Sequence, residues 1–322
     1  MVYFKKVWLL IFCLYSVLLL SFSSCKAQVQ IDSAEVERTL KVLSSDSMQG
    51  RKVFTPGIKK AADFIINEFK EIGLTHFPGA IGFEDTLSIR LGSDSLAKKE
   101  VTSNIIGVLP GRSKKDQYVI FSAHYDHIGI QSPVNGDSIA NGADDDASGV
   151  AAVIALARHY KKVNNNEVTL VFIAFTAEEI GGFGSKSFIN EIDPKKVVAM
   201  VNIEMIGKES KFGPNAAFIT GYERSDLGKI LQKNLEGTRF TLHPDPYPEQ
   251  DLFYRSDNAS LAKHGVPAHT VSTDQIDKDI YYHTVDDEFS TLSIQNLVNT
   301  IEAIVQGSKS IVAGKDIPSR IK

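Results

Sequence analysis

The sequence predicts an α/β domain whose sheet is covered by helices on both faces, and three observations carry that reading. Strand-length runs such as Val168 to Phe175 and Val198 to Ile203 are apolar without alternation, as strands buried on both sides are. Stretches with helical apolar spacing lie between such runs. The chain has 322 residues, 43% of them hydrophobic, and only two cysteines, so a buried core and not disulfides must hold it.

Residues 1–24 read as an export signal outside the fold. Lys5 and Lys6 precede an apolar run from Val7 to Leu20, shorter than the roughly 20 residues a membrane-spanning helix needs. Ser21-Phe22-Ser23-Ser24 then leads to Cys25, the layout of a lipoprotein signal in which Cys25 becomes the acylated first residue. The alternatives are ordinary cleavage near Ala27 and an uncleaved anchor. Either kind of cleavage places the protein outside the cytoplasm, tethered on the periplasmic or outer face, or free there. Removing residues 1–24 takes away two lysines and no acid, which moves the net charge from −4 to −6. That balance, with no basic run, argues against nucleic acid as a partner. Cys13 leaves with the signal, so the mature chain has no internal disulfide.

Residues 25–32 read as a tether and 33–322 as one domain. Ser33 to Ser44 has helical spacing, with Val36, Leu40 and Leu43 on one side. Thr55-Pro56-Gly57 breaks the chain, and Lys59 to Ile72 is an amphipathic helix stopped by Gly73. Strands are then expected at Asn104 to Leu109, Tyr118 to Ala123, Val168 to Phe175, Val198 to Ile203, Ala216 to Thr220 and Val266 to Val271. Helices are expected at Ala147 to Tyr160, Gly184 to Ile189, Asp226 to Leu235, Asn258 to His264 and Ile294 to Val312. Ile130 to Ala140 and His243 to Gln250 read as loops, either bordering a cleft or merely connecting.

Five segments offer metal ligands: His124-Tyr125-Asp126-His127, Gly142 to Asp146, Ala177-Glu178-Glu179, Asn202 to Met205, and Tyr281 to Thr284. His124, Glu178-Glu179 and Glu204 follow strand ends, where open α/β sheets bind ligands. Asp145 sits at a helix entry. Imidazole with carboxylates suits zinc, whereas a calcium cage is all oxygen. Two histidines with several carboxylates can hold two metals. Each segment alone has a plain reading, such as a helix N-terminus for Glu178-Glu179. Gly181 to Ser187 lacks phosphate-loop spacing, and Ser148 lacks a nucleophile-elbow motif. His159 and His264 read as surface residues, and His127 and His243 as cleft-lining at most.

The ordered set His-Tyr-Asp-His, Asn-Gly-Ala-Asp-Asp, Ala-Glu-Glu and Tyr-His-Thr resembles the secreted two-zinc aminopeptidases. That family also contains glutaminyl cyclases and glutamate carboxypeptidase II. The resemblance runs from Leu43-Ser44-Ser45-Asp46-Ser47-Met48-Gln49-Gly50-Arg51 to Tyr282-His283-Thr284-Val285-Asp286-Asp287. It implies one α/β domain around a mixed, mainly parallel sheet, two zinc ions or only one, and a peptide substrate. It implies His124 and Glu204 as ligands of one zinc, Asp145 as the bridge, and Glu179 and His283 as ligands of the other. Glu204 stands where the family usually has aspartate, which puts occupancy of its zinc in question. The resemblance further implies Asp126 as the carboxylate orienting His124, Glu178 as general base and Tyr282 as oxyanion support. It also implies a cis Asp145–Asp146 peptide. The function implied is an aminopeptidase. A single-zinc glutaminyl cyclase and a non-catalytic peptide-binding protein are the alternatives.

Overall fold

Residues 29–91 and 98–321 are described in the computed structural model, so the signal, Cys25 and residues 26–28 of the tether lie outside the described residues. The chain divides into Met1–Gln30 and Ile31–Lys322, and every element below belongs to the second unit. No helix among the described residues is long and apolar enough to cross a membrane.

Two helices come first, α1 (Ser33–Leu43) and α2 (Pro56–Ile72). Asp32 caps α1 by accepting from the backbone of Ala34 and Glu35, and Gly73 ends α2 with φ +74°, a left-handed conformation that glycine adopts without strain. The strands are β1 (Glu84–Arg90), β2 (Lys99–Leu109), β3 (Lys114–His124), β4 (Gly129–Val134), β5 (Asp137–Ala140), β6 (Val168–Phe175), β7 (Val197–Ile203), β8 (Ala216–Ile219), β9 (Thr241–Pro244) and β10 (Ala268–Ser272). The remaining helices are α3 (Gly149–Val163), α4 (Phe183–Phe188), α5 (Leu227–Leu235), α6 (Asn258–Ala262) and α7 (Ile294–Val312).

The main sheet runs β1-β2-β6-β3-β7-β10-β8-β9. Its centre, β6-β3-β7-β10, is parallel, and antiparallel pairs flank it at β1/β2, β2/β6 and β10/β8. The mixed, mainly parallel sheet is as expected. Side chains alternate across it. Phe121 and Phe172 stack on one face, where Tyr160 of α3 packs on Phe121. Ile120, Val171, Ile173 and Phe175 point to the other, against Phe188 of α4 and Leu261 of α6. On the α3 side, buried Glu68 of α2 bonds Arg38 of α1 and Arg158 of α3 and joins three helices.

Four strands were not expected. β1 alternates buried and exposed residues at a sheet edge, with polar Asp85, Thr86 and Ser88, so it has no apolar run to read. β9 enters the proline-rich stretch expected to be loop. Ile130 to Ala140, also expected as loop, forms the β4–β5 hairpin. Its turn has Asn135 at φ +51° and Gly136 at φ +93°, the Asn-Gly signature of a tight hairpin. The helix expected from Ala147 begins at Gly149, because Ala143–Ser148 form a wider turn.

Candidate metal centre

The parallel register aligns the carboxyl ends of β3, β6 and β7 at one edge, with His124 opposite Phe175 and Ser122 opposite Asn202. His124 ends β3, Glu178 and Glu179 follow β6 by a short turn, and Glu204 follows β7. Asp145 enters from the turn before α3, and His283 from the loop after β10. His124 Nε2 lies 3.1 Å from Asp145 Oδ1, and His283 Nε2 lies 3.2 Å from Asp145 Oδ2. The two oxygens of one carboxylate therefore face two different imidazoles. His283 Nε2 is also 3.0 Å from Glu179 Oε2. Ligand atoms of His124, Asp145 and Glu179 fall within 4.8 Å of one another. Glu204 is outside that trio but lines the same cleft, with Asp145, Glu178, Glu179, Tyr282 and His283.

Backbone clamps hold these loops. Asp126 accepts from the N–H of Glu178 at 3.1 Å and of Glu179 at 3.3 Å. Asp146 accepts from His124 N and Met205 N, tying β3 to β7. Asp287 accepts from Asp144 N and Asp145 N, tying the Asp145 segment to the loop that carries His283. Arg51 does the same for carbonyls. Its guanidinium, fully buried, donates to Tyr125 O (2.9 Å), Leu43 O (2.8 Å), Asn141 O (2.6 Å), Gly142 O (2.8 Å) and, at 3.4 Å, Asp145 O. All five guanidinium donors are thereby used. Ala177 (φ +59°), Met205 (φ +52°) and His283 (φ +57°) are left-handed without being glycine, each at or beside a ligand segment. Such strain persists where surrounding contacts enforce it.

Charge is concentrated here. Burial works against ionising Asp145, but its bonds to His124 and His283 outweigh that and hold it well below the usual carboxylate range. Burial opposes protonation of His283 too, yet Asp145 and Glu179 push it up to about 10. Burial raises Glu178 well above its ordinary value, with Glu204, Asp257 and Asp126 adding to it, and raises Glu204 also. Asp126 is pushed up to about 6, chiefly by burial. Glu204 Oε2 and both oxygens of Asp257 are buried without a hydrogen-bond donor. Buried anionic oxygens with too few donors, beside two imidazoles on one carboxylate, fit a divalent cation. With no thiolate in the set, imidazole and carboxylate donors suit zinc. A second acidic group, Asp144, Asp274 and Asp279, already has a counter-ion in Lys208, 2.6 Å from Asp279 and 3.4 Å from Asp144.

Other residues meet expectation unevenly, and the Asp145–Asp146 peptide is cis as expected. His124 Nδ1 bonds the backbone carbonyl of Asp126 at 3.1 Å, while the Asp126 carboxylate is 3.9 Å away and serves the Glu178-Glu179 backbone. Tyr282 stacks on His283 at 3.9 Å and lines the cleft. His127 is buried inside the centre, 2.8 Å from Glu179 Oε1. His243 instead stacks on Phe212 and does not line the cleft. Ser148 is buried and bonded to Asp144 O and Ile206 N. Arg51 and Asp287 carried no role in the sequence reading, Asp146 none beyond its peptide bond, and His127 at most a cleft-lining one. Arg51 and Asp287 do stand at the two ends of the resembling stretch.

The family model described as peptidase family M28 matches residues 104–307. A probable leucine aminopeptidase of Trichophyton verrucosum is 30% identical over 212 residues, covering 63% of this chain and 54% of that protein. The chain thus spans about half the length of the curated relatives it matches. A zinc aminopeptidase from Bacillus subtilis is structurally similar (TM-score 0.69, 15% identity, covering 89% of this chain and 97% of that one). So is a glutaminyl cyclase from Porphyromonas gingivalis (TM-score 0.69, 14% identity, 87% and 99%). At such identities the structural likeness speaks for the fold alone.

Proposed function

The chain belongs to peptidase family M28, and on that premise we propose that it is a zinc-dependent aminopeptidase that hydrolyses the N-terminal bond of peptides. One observation carries the reading: each oxygen of Asp145 faces its own histidine, His124 at 3.1 Å and His283 at 3.2 Å, as a carboxylate bridging two metals would. His124 and Glu204 would hold one zinc, Glu179 and His283 the other. That geometry favours two ions over one, and so a peptidase over a single-zinc cyclase. When bound, zinc polarises a carbonyl and acidifies water to a pKa of about 7.

The remaining chemistry falls to the chain's own groups. Glu178 opens onto the cleft, and its backbone is fixed by Asp126. It takes the proton that water loses as the new C–O bond forms, and returns it to the amine nitrogen as the C–N bond breaks. Burial and the neighbouring carboxylates keep the Tyr282 phenol protonated, so it can donate to the developing oxyanion. The cleft, about 610 Å³ with the metal centre and its opening to solvent included, is walled on one side by Phe218, Leu252 and Ile276, an apolar surface for a substrate side chain. The layout of residues 1–25 supports export, with Cys25 as a lipid-bearing tether.

Glu178→Gln tests the assignment. It keeps shape and metal ligands but cannot take a proton, so turnover of aminoacyl reporters should fall about 10²–10⁴-fold while zinc content stays at wild type. Near wild-type turnover with zinc bound would remove Glu178 from the mechanism. One zinc per chain with pyroglutamate formation would point to the cyclase.

A further inference from the structure

We infer that His127 is a positioning residue that fixes Glu179 for the second metal; the inference rests on the two-metal reading above. The carboxylate of Glu179 is shared between two imidazoles. Oε1 lies 2.8 Å from His127 Nδ1, and Oε2 lies 3.0 Å from His283 Nε2. A carboxylate oxygen accepts, so Nδ1 carries the hydrogen. One oxygen is thus engaged from behind, and the other is left turned toward His283 and Asp145.

The ring reaches every group assigned to that metal. Its Nδ1 is 3.7 Å from Asp145 Oδ2, and its plane meets the His283 ring edge-on at 5.7 Å. Its own seat is rigid. The side chain is fully buried, the backbone N–H donates to Arg51 O at 3.3 Å, and the ring lies against Gly142. A Cβ on Gly142 would fall 2.6 Å from His127 Cγ and Cδ2, so the ring needs glycine there. Nε2 is buried and has no partner among the described residues, which leaves Glu179 as the ring's hydrogen-bonded contact. Groups that orient a metal-binding carboxylate in this way typically contribute 10–100-fold to affinity.

The two ring nitrogens make the inference testable. Asparagine places an amide N–H near the position of Nδ1, whereas leucine keeps bulk and donates nothing. Full-length wild type, His127→Asn and His127→Leu would be stripped of metal and titrated with Zn²⁺ by calorimetry against a competing chelator, then with Co²⁺ while visible spectra are recorded. The expected result is two binding events in wild type, with one of them weakened about 10–100-fold in His127→Leu and largely restored in His127→Asn. At saturating Co²⁺ all three proteins should share one spectrum. A changed spectrum in both variants at saturation would make His127 itself a ligand and overturn the positioning role. Unchanged affinities in both would overturn it as well. Absence of Zn²⁺ binding by wild type would bring down the metalloenzyme reading, and this inference with it. Melting of the metal-free proteins separates a folding defect from a binding one, and His127→Asn decides the outcome if His127→Leu does not fold.

Discussion

Replacing Arg51 should loosen the metal loops before anything else. Its guanidinium is fully buried and serves carbonyls on three segments, Leu43, Tyr125 and Asn141-Gly142, with Asp145 a weaker fifth contact at 3.4 Å. Of these, Gly142 O also accepts from Ala147 N and keeps a partner. Arg51→Met would leave the carbonyls of Tyr125, Leu43 and Asn141 buried without donors. At about 1–3 kcal/mol each, that is roughly 3–9 kcal/mol, a large share of the 5–15 kcal/mol by which proteins are stable. The charges of Asp145, Asp287, Asp146 and Asp126 would also lose their counter-ion, so the effect should sit in the upper half. Arg51→Lys keeps the charge, but three donors on one nitrogen cannot reach carbonyls spread across a planar fork. About 2–5 kcal/mol is expected for it, with folding retained. Urea unfolding of the metal-free proteins reads the stability. Zinc titration of the lysine variant should show affinity reduced about 10–100-fold, because the affected carbonyls flank His124 and Asp145. If Arg51→Met unfolds within about 1 kcal/mol of wild type, the carbonyl clamp is not what holds these loops.

Three further outcomes are expected. Gly142→Ala should destabilise the fold and weaken zinc binding, since φ is +56° and a Cβ would lie 2.3 Å from Asp145 O; an unchanged melting temperature and zinc affinity would contradict it. Buried His269 donates from Nδ1 to Thr220 O and accepts at Nε2 from Ser225, and burial lowers its pKa to about 4 from 6.5. Its contribution is therefore complete above pH 6.5 and is lost as pH falls toward 4. At ~1.4 kcal/mol per pH unit, that is about 3 kcal/mol; His269→Asn should flatten this stretch of the stability–pH curve, and superimposable curves would refute it. Chelation should remove activity and lower the melting temperature together. Zinc at about 100 times its dissociation constant should restore about 2.7 kcal/mol, and a melting curve indifferent to zinc would exclude a resident metal.

The sequence by itself determined six of the main sheet's eight strands and the positions their ends would offer. Val168–Phe175 and Ile294–Val312 appear with the expected bounds, because apolar periodicity reports burial residue by residue. His124 and Glu179 were legible beyond the ends of such runs, Asp145 at a helix entry and His283 in a loop; the resemblance implied all four as ligands, and the structure brings them together. The β4–β5 hairpin was legible too, in Asn135-Gly136, but the polar residues around it read as loop. Only the tertiary structure decided how the ligands are held. Arg51 meets Tyr125 across 74 residues, Asp287 meets Asp145 across 142, and His127 meets Glu179 across 52. Nothing local marks such pairs. A buried arginine or histidine looks like a solvated one until packing removes the water, and a hydrogen-bond partner is then whatever the fold has placed within about 3 Å. The same reason moved Asp126 from orienting the His124 ring to holding the Glu178-Glu179 backbone. Asp126 lies two residues from His124 but 52 from Glu178 in sequence, and only the geometry of the two strand ends brings it to that backbone.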